Sequence, residues 1–159
     1  MVILLYELFK KLVSVCFNLL NFLLLGNLPP LGSVCVIAED QGKYLLVRRP
    51  GGAYVFPGGF VRWKEHPAQS AQRECLEETG LRVTIQGLIG CSATPSERLT
   101  KMSSITVIYR AEVIDGHLRN TIEGQACWID VAELPSCLYR QQQGIYEHYL
   151  RYQRQNERA

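Results

Sequence analysis

The stretch GGFVRWKEHPAQSAQRECLEETGL, residues 58–81, constrains this chain more than any other segment. His66 is placed to cap a helix, Pro67 suits the first helical position, and Gly80 suits the residue just past the end, so the pattern predicts a helix over Pro67–Thr79. Within it Glu74, Glu77 and Glu78 stand at i, i+3 and i+4 and share one face. Like charges at this spacing destabilise a helix by a few tenths of a kcal/mol. They also lie toward its negative C-terminal end, which makes a merely solvated acidic face a poor explanation. A hard divalent cation resolves the conflict, because Mg²⁺ takes oxygen ligands and keeps company with phosphates.

The rest of the chain supplies an ordinary core. With 159 residues, 47% hydrophobic and 20% charged, it fits one domain of common size. A net charge of +2, with no Lys/Arg run interleaved with aromatics, gives no footprint of a nucleic-acid binder. Cys16, Cys35, Cys75, Cys91, Cys127 and Cys137 form no CxxC pair, which reads as buried free thiols in a reducing cytosol. SVCVIAE (33–39) and KYLLVRR (43–49) read as a hairpin about Asp40-Gln41-Gly42, followed by a short strand at 54–57. Residues 81–89, 103–114 and 125–130 read as further strands, with a turn at Asp115-Gly116. A short helix is expected at VAEL, with Asp130 as its cap, and a closing helix from about Gln142. Strands, a helix, more strands and a final helix predict an α+β fold, a sandwich built on a mixed sheet.

Gly59, Glu65, Arg73, Glu74, Glu77, Glu78 and Gly80, with Cys75 and Leu81 in the bulky apolar places, complete G-x5-E-x7-R-E-U-x-E-E-x-G-U. This resembles the signature of the Nudix hydrolases at every fixed letter. Seven letters at about 1 in 20 each coincide by chance on the order of once in 10⁹ placements. PGG before the box and WIDVAELP near the end extend the resemblance over roughly residues 33–135. It implies an α/β/α sandwich and Mg²⁺-dependent hydrolysis, with Mn²⁺ as a substitute, of a nucleoside diphosphate linked to a moiety X. It further implies a turn at Gly58 and Gly59 with the Gly58 carbonyl as a backbone metal ligand, and Glu74, Glu77 and Glu78 holding the ion, one of them acting as base. Arg73 is expected to pair with a box glutamate, and Glu65 to serve the same network or a second metal.

Pro95, fifteen residues beyond Gly80, is similar to the pattern of the ADP-ribose pyrophosphatase group. ADP-ribose or a nucleotide sugar is therefore the favoured substrate, with (oxidised) nucleoside triphosphates as the alternative. Arg48 and Arg49, leaving the second strand near the glycine loop, are candidates to meet a substrate phosphate. Glu97 and Glu123 are candidate further carboxylates. A non-catalytic nucleotide-sensing module is the rival class, disfavoured because every box glutamate is present. A prenyl-diphosphate isomerase would require a different box.

Residues 1–25 differ in character. Glu7, Lys10, Lys11, Ser14, Asn18 and Asn21 fall within about 100° on a helical wheel, and everything else is apolar. The uncharged run 12–25 is short for a bilayer span of roughly 20 residues. Such a helix needs burial against its own domain, a second copy as a homodimer, or a membrane interface with Lys10 and Lys11 at the headgroups. The expectation is a helical extension (1–25), a linker broken by Pro29-Pro30 (26–32) and the main domain (33–159). The extension would tether a cytoplasmic hydrolase to a membrane or protein surface and contribute no catalytic group.

Overall fold

The computed structural model describes residues 2–156, and of residues 2, 3, 6 and 7 only the backbone. The chain runs α1 (Val2–Leu23), β1 (Leu31–Asp40), β2 (Lys43–Arg48), β3 (Tyr54–Val55), β4 (Gly58–Phe60), α2 (Pro67–Thr79), β5 (Leu81–Thr94), β6 (Ser104–Gly116), β7 (Asn120–Thr121), β8 (Gly124–Asp130), α3 (Leu134–Cys137) and α4 (Arg140–Asn156). The strands join in the order β5-β6-β1-β2-β8-β7, with β4 on β1 and β3 on β2. β1 runs parallel to β6 over Leu31–Ala38, and the other strand-to-strand pairings among the described residues are antiparallel. β1 and β2 pair only beside their turn, at Glu39↔Tyr44 and Asp40↔Lys43, and then diverge to different neighbours.

Strand alternation builds two cores from this sheet. Val34, Val36, Ala38 and Leu45 point to one side and pack with Ala71 and Cys75 of α2. Cys35, Ile37, Tyr44 and Leu46 point to the other and pack with Leu134, Leu138 and, from α4, Ile145 and Tyr149. Helix, sheet, helix is the expected sandwich.

The local readings hold in part. His66 caps α2: its Nδ1 accepts from the Ala68 N–H at 3.2 Å, and the Gln69 side chain accepts from the His66 N–H at 3.2 Å. Gly80 closes the helix at φ +79°, where an added Cβ would sit 2.3 Å from the His117 carbonyl oxygen. Other expectations are corrected. Gly58 and Gly59 do not form a turn; they are the core of β4 and pair with Cys35 and Val34. β5 continues past Ile89 because a register shift between Leu88 and Gly90 absorbs the irregularity. Asp115-Gly116 is no turn, since Gly116 still pairs with Leu81. The short helix begins at Leu134 rather than Val131, because Pro135 favours a first turn; Asp130 Oδ1 instead accepts from the Ala132 N–H at 3.0 Å.

Helix α1 is turned opposite to what its composition invites. Its polar stripe faces the body of the protein: Ser14 is buried, and Asn18 Nδ2 donates to the carbonyls of Leu99 and Lys101, both at 2.8 Å. Asn21 Oδ1 accepts from the Leu28 N–H at 3.0 Å. The side chain of Glu7, expected in the same stripe, lies outside the described residues. Leu4, Leu5, Leu8, Leu12, Leu19, Leu20, Phe22 and Leu23 face outward, exposed. Among the described residues, neither core contains one from α1. Among the described residues no helix is long and apolar enough to cross a membrane.

Candidate active site

The question set by the three glutamates has a geometric answer: each has its own guanidinium. Arg73, one turn before Glu77, forks across the row. Its Nε and Nη2 donate to the two oxygens of Glu65 at 2.9 and 2.8 Å, and its Nη1 reaches Glu74 at 2.6 Å and Glu77 at 3.1 Å. Arg62, from the loop after β4, meets Glu77 from the other side at 3.0 Å. Arg49, just beyond β2, donates Nη2 to Glu78 at 2.6 Å and Nη1 to Glu123 at 2.6 Å. Planar, forked Arg suits such sharing better than Lys.

The carboxylates differ in environment. Glu77 is the open one, with 46% of its side chain exposed. Glu78 is 3% exposed, so it is no helix-surface carboxylate as α2 alone suggests. Its Oε2 accepts from the Gly58 N–H at 3.0 Å. Burial pushes its carboxyl up to about 7, against the opposing pull of Arg49. Glu65 goes the other way: hydrogen bonds from Arg73 and Ser70 hold it down near 2.

The glycines of β4 bring the backbone against these groups. A Cβ on Gly59 would lie 2.6 Å from the Glu74 carboxyl carbon, and one on Gly58 would lie 2.1 Å from the Val34 carbonyl oxygen. A cavity of about 760 Å³ opens here, lined by Arg49, Gly58, Gly59, Arg62, Glu74 and Glu123 among others.

Of the residues singled out from sequence, Gly58, Arg49, Arg73, Glu74, Glu77 and Glu78 come together. Arg48 does not; alternation at the end of β2 sends it over the Tyr54 ring, at 6.0 Å. Glu97 lines a second cavity, of about 590 Å³, beside α1. Arg62 was missed. It sits in a loop, where only a cation between the glycines and Glu65 hinted at a role. Among the described residues no three acidic, His or Cys side chains already converge as a metal cage. The donor set nonetheless suits a hard cation: carboxylate oxygens along one helix face, against a strand whose missing Cβ leaves room for Glu74.

Comparison with known proteins agrees with this geometry. A NUDIX domain model matches residues 28–150. The chain is similar to the ADP-ribose pyrophosphatase of Methanocaldococcus jannaschii, at 30% identity over 130 residues, covering 79% of this chain and 76% of the relative. It is 31% identical over 111 residues to a MutT-like protein of Streptomyces ambofaciens, covering 67% of this chain and 69% of that protein. A NUDIX hydrolase structure from Nitrosomonas europaea superposes with a TM-score of 0.69 at 21% identity, covering 76% of this chain and 88% of the other. The chain belongs to the Nudix family and is a hydrolase of phosphoric anhydrides.

Proposed function

We propose that this Nudix hydrolase splits a nucleoside diphosphate linked to a moiety X, with ADP-ribose or a nucleotide sugar as substrate. The observation that carries the reading is the row Glu74–Glu77–Glu78, held by three guanidiniums against the glycine strand β4. The likeness to an ADP-ribose pyrophosphatase over most of both chains supports the choice of substrate.

Glu74, Glu77, Glu78 and the Gly58 carbonyl would hold Mg²⁺, or Mn²⁺ in its place. When bound, the ion neutralises the diphosphate oxygens and makes water a better nucleophile. Arg73 fixes Glu74 and Glu77 so that their oxygens need no reorganisation. The base that takes the water proton is Glu77 or Glu74. Glu78 is unsuited, being committed to Arg49 and the Gly58 N–H. A water O–P bond forms and the bridging P–O bond breaks. The leaving phosphate takes a proton, giving a nucleoside 5′-monophosphate and phosphorylated X. Arg49 serves by holding Glu78 and Glu123, while Arg48 and Glu97 stand apart from the carboxylate row.

A panel of ADP-ribose, nucleotide sugars, dinucleoside polyphosphates and oxidised and ordinary nucleoside triphosphates tests this. Nucleoside monophosphate should be released from ADP-ribose or a nucleotide sugar with Mg²⁺ present and not with chelator. Preference for the triphosphates would overturn the substrate, and activity undiminished by chelator would overturn the metal.

The outward face of α1 fits the interface of an anionic membrane, with the catalytic unit on the cytoplasmic side. Its exposed leucines share α1 with exposed Lys11, and Asn18 of the same helix holds a loop whose Arg98, Leu99 and Lys101 are exposed. The chain should sediment with anionic vesicles and not with neutral ones. Dimerisation without lipid binding would refute this.

A further inference from the structure

The cavity at the carboxylates and the cavity beside α1 meet. Both are lined by Lys10 and Phe60. The first holds Arg49, Arg62, Glu74 and the β4 glycines. The second is walled by Phe9, Val13 and Ser14 of α1, by Pro95, Glu97 and Met102 of the β5–β6 connection, and by Gln142 and Ile145 of α4. Its volume, about 590 Å³, lies in the range that holds a small organic ligand. The first compartment carries the box carboxylate Glu74 with Arg49 and Arg62, and the second carries Glu97 and Lys101 among Phe9, Val13, Met102 and Ile145. A cation stands at their junction.

We propose that Lys10 is a substrate-binding residue, and that α1 forms a wall of the substrate site rather than only an appendage. This rests on the pyrophosphatase reading above. A nucleoside diphosphate joined to X has the same two-part chemistry as the paired cavities: a diphosphate for the carboxylate compartment and a nucleoside for the mixed one beside α1. Where the two parts join, the substrate carries a phosphate, and that is where Lys10 stands. The helix is held in register for the task. Ser14 Oγ donates to the Lys10 carbonyl at 2.9 Å, and Asn18, one turn further, is bonded to the 98–101 loop that also walls the cavity. Residues 1–25 are expected to contribute no catalytic group; under this proposal they contribute a substrate-binding one. The matched family region begins at residue 28, so this wall lies outside it.

The test uses the full chain with ADP-ribose. Lys10→Ala should raise KM about tenfold with kcat within about twofold, Lys10→Arg should recover most of the loss, and Lys11→Ala should match wild type. In parallel, ADP-ribose is titrated without divalent ion into wild type and Lys10→Ala, and the variant should bind about tenfold more weakly. An unchanged KM and Kd in Lys10→Ala, no rescue by Arg, or an equal loss in Lys11→Ala overturns the proposal. If wild type binds but does not cleave ADP-ribose, the hydrolytic reading fails and the titration alone decides on Lys10. If wild type does not bind ADP-ribose at all, the wall proposal falls too.

Discussion

Gly58 and Gly59 are neighbours on β4, yet a methyl group on each meets a different kind of obstacle. At Gly59 the obstacle is the Glu74 carboxylate, the movable end of a side chain; at Gly58 it is the Val34 carbonyl, part of the central strand. Gly59→Ala should therefore leave the protein folded while displacing Glu74 and lowering kcat by about 100-fold or more. Gly58→Ala should separate β4 from β1 and yield little soluble protein. Expression, circular dichroism and single-turnover kinetics on the pair distinguish these outcomes. The same reasoning divides the glutamates. Glu77 is half exposed, so Glu77→Gln should lower kcat by orders of magnitude while leaving the melting temperature nearly unchanged. Glu78 is buried between Arg49 and the Gly58 N–H, so Glu78→Leu should cost stability as well, because it takes one of two carboxylates from Arg49 and leaves the part-buried Gly58 amide without its acceptor. Thermal melts of the two variants beside wild type check this difference.

Helix α4 covers one face of the sheet through aromatics: Tyr149 and Tyr146 meet Tyr44 edge-on at 5.9 and 5.6 Å. Tyr149 donates its hydroxyl to Glu39 at 2.8 Å. Burial first, then the Glu39 carboxylate, raises the Tyr149 hydroxyl well above its ordinary range, and burial does the same to Tyr44. A group raised in the folded state contributes stability that is complete below its unfolded value, about 10 for tyrosine, and is lost as pH rises beyond it. Stability should thus fall above about pH 10. Tyr149→Phe should make that fall shallower by about 1.4 kcal/mol per pH unit. Denaturant titrations between pH 9 and 12 measure the slope.

At this scale sequence was informative wherever one local rule decides. The cap, Pro67 and Gly80 define α2, and alternation along β1 and β2 assigns both cores. It was less informative where a partner distant in the chain decides. β4 is a strand only because β1 lies beside it, and β5 runs past Ile89 only because β6 accepts a shifted register. The glutamate row was legible in the spacing of α2. That Glu78 is buried and Glu77 open was not, because Arg49 and Gly58 reach it from other elements. Nor could Lys10 be placed, since the helical wheel shows a stripe without showing which way it faces.

For the molecule as a whole, the two cores draw on no α1 residue among those described. A chain beginning at Leu31 should keep its cooperative unfolding, with a melting temperature within about 4 °C of the full-length value, while its KM for ADP-ribose rises as in Lys10→Ala. Calorimetry with steady-state kinetics on the two chains checks both halves. Asn18 is tied to carbonyls 80 to 83 positions later in the chain. At roughly 5–20 residues per second, synthesis makes those carbonyls about 4–16 s after Asn18 itself. The central strand also waits for β6 before its parallel pairing can form. During that interval α1, leaving the ribosome, has neither a docking loop nor a sheet to rest on. Its leucine face therefore stands in the open before the catalytic unit exists, and anything that covers that face can do so before the protein has an activity.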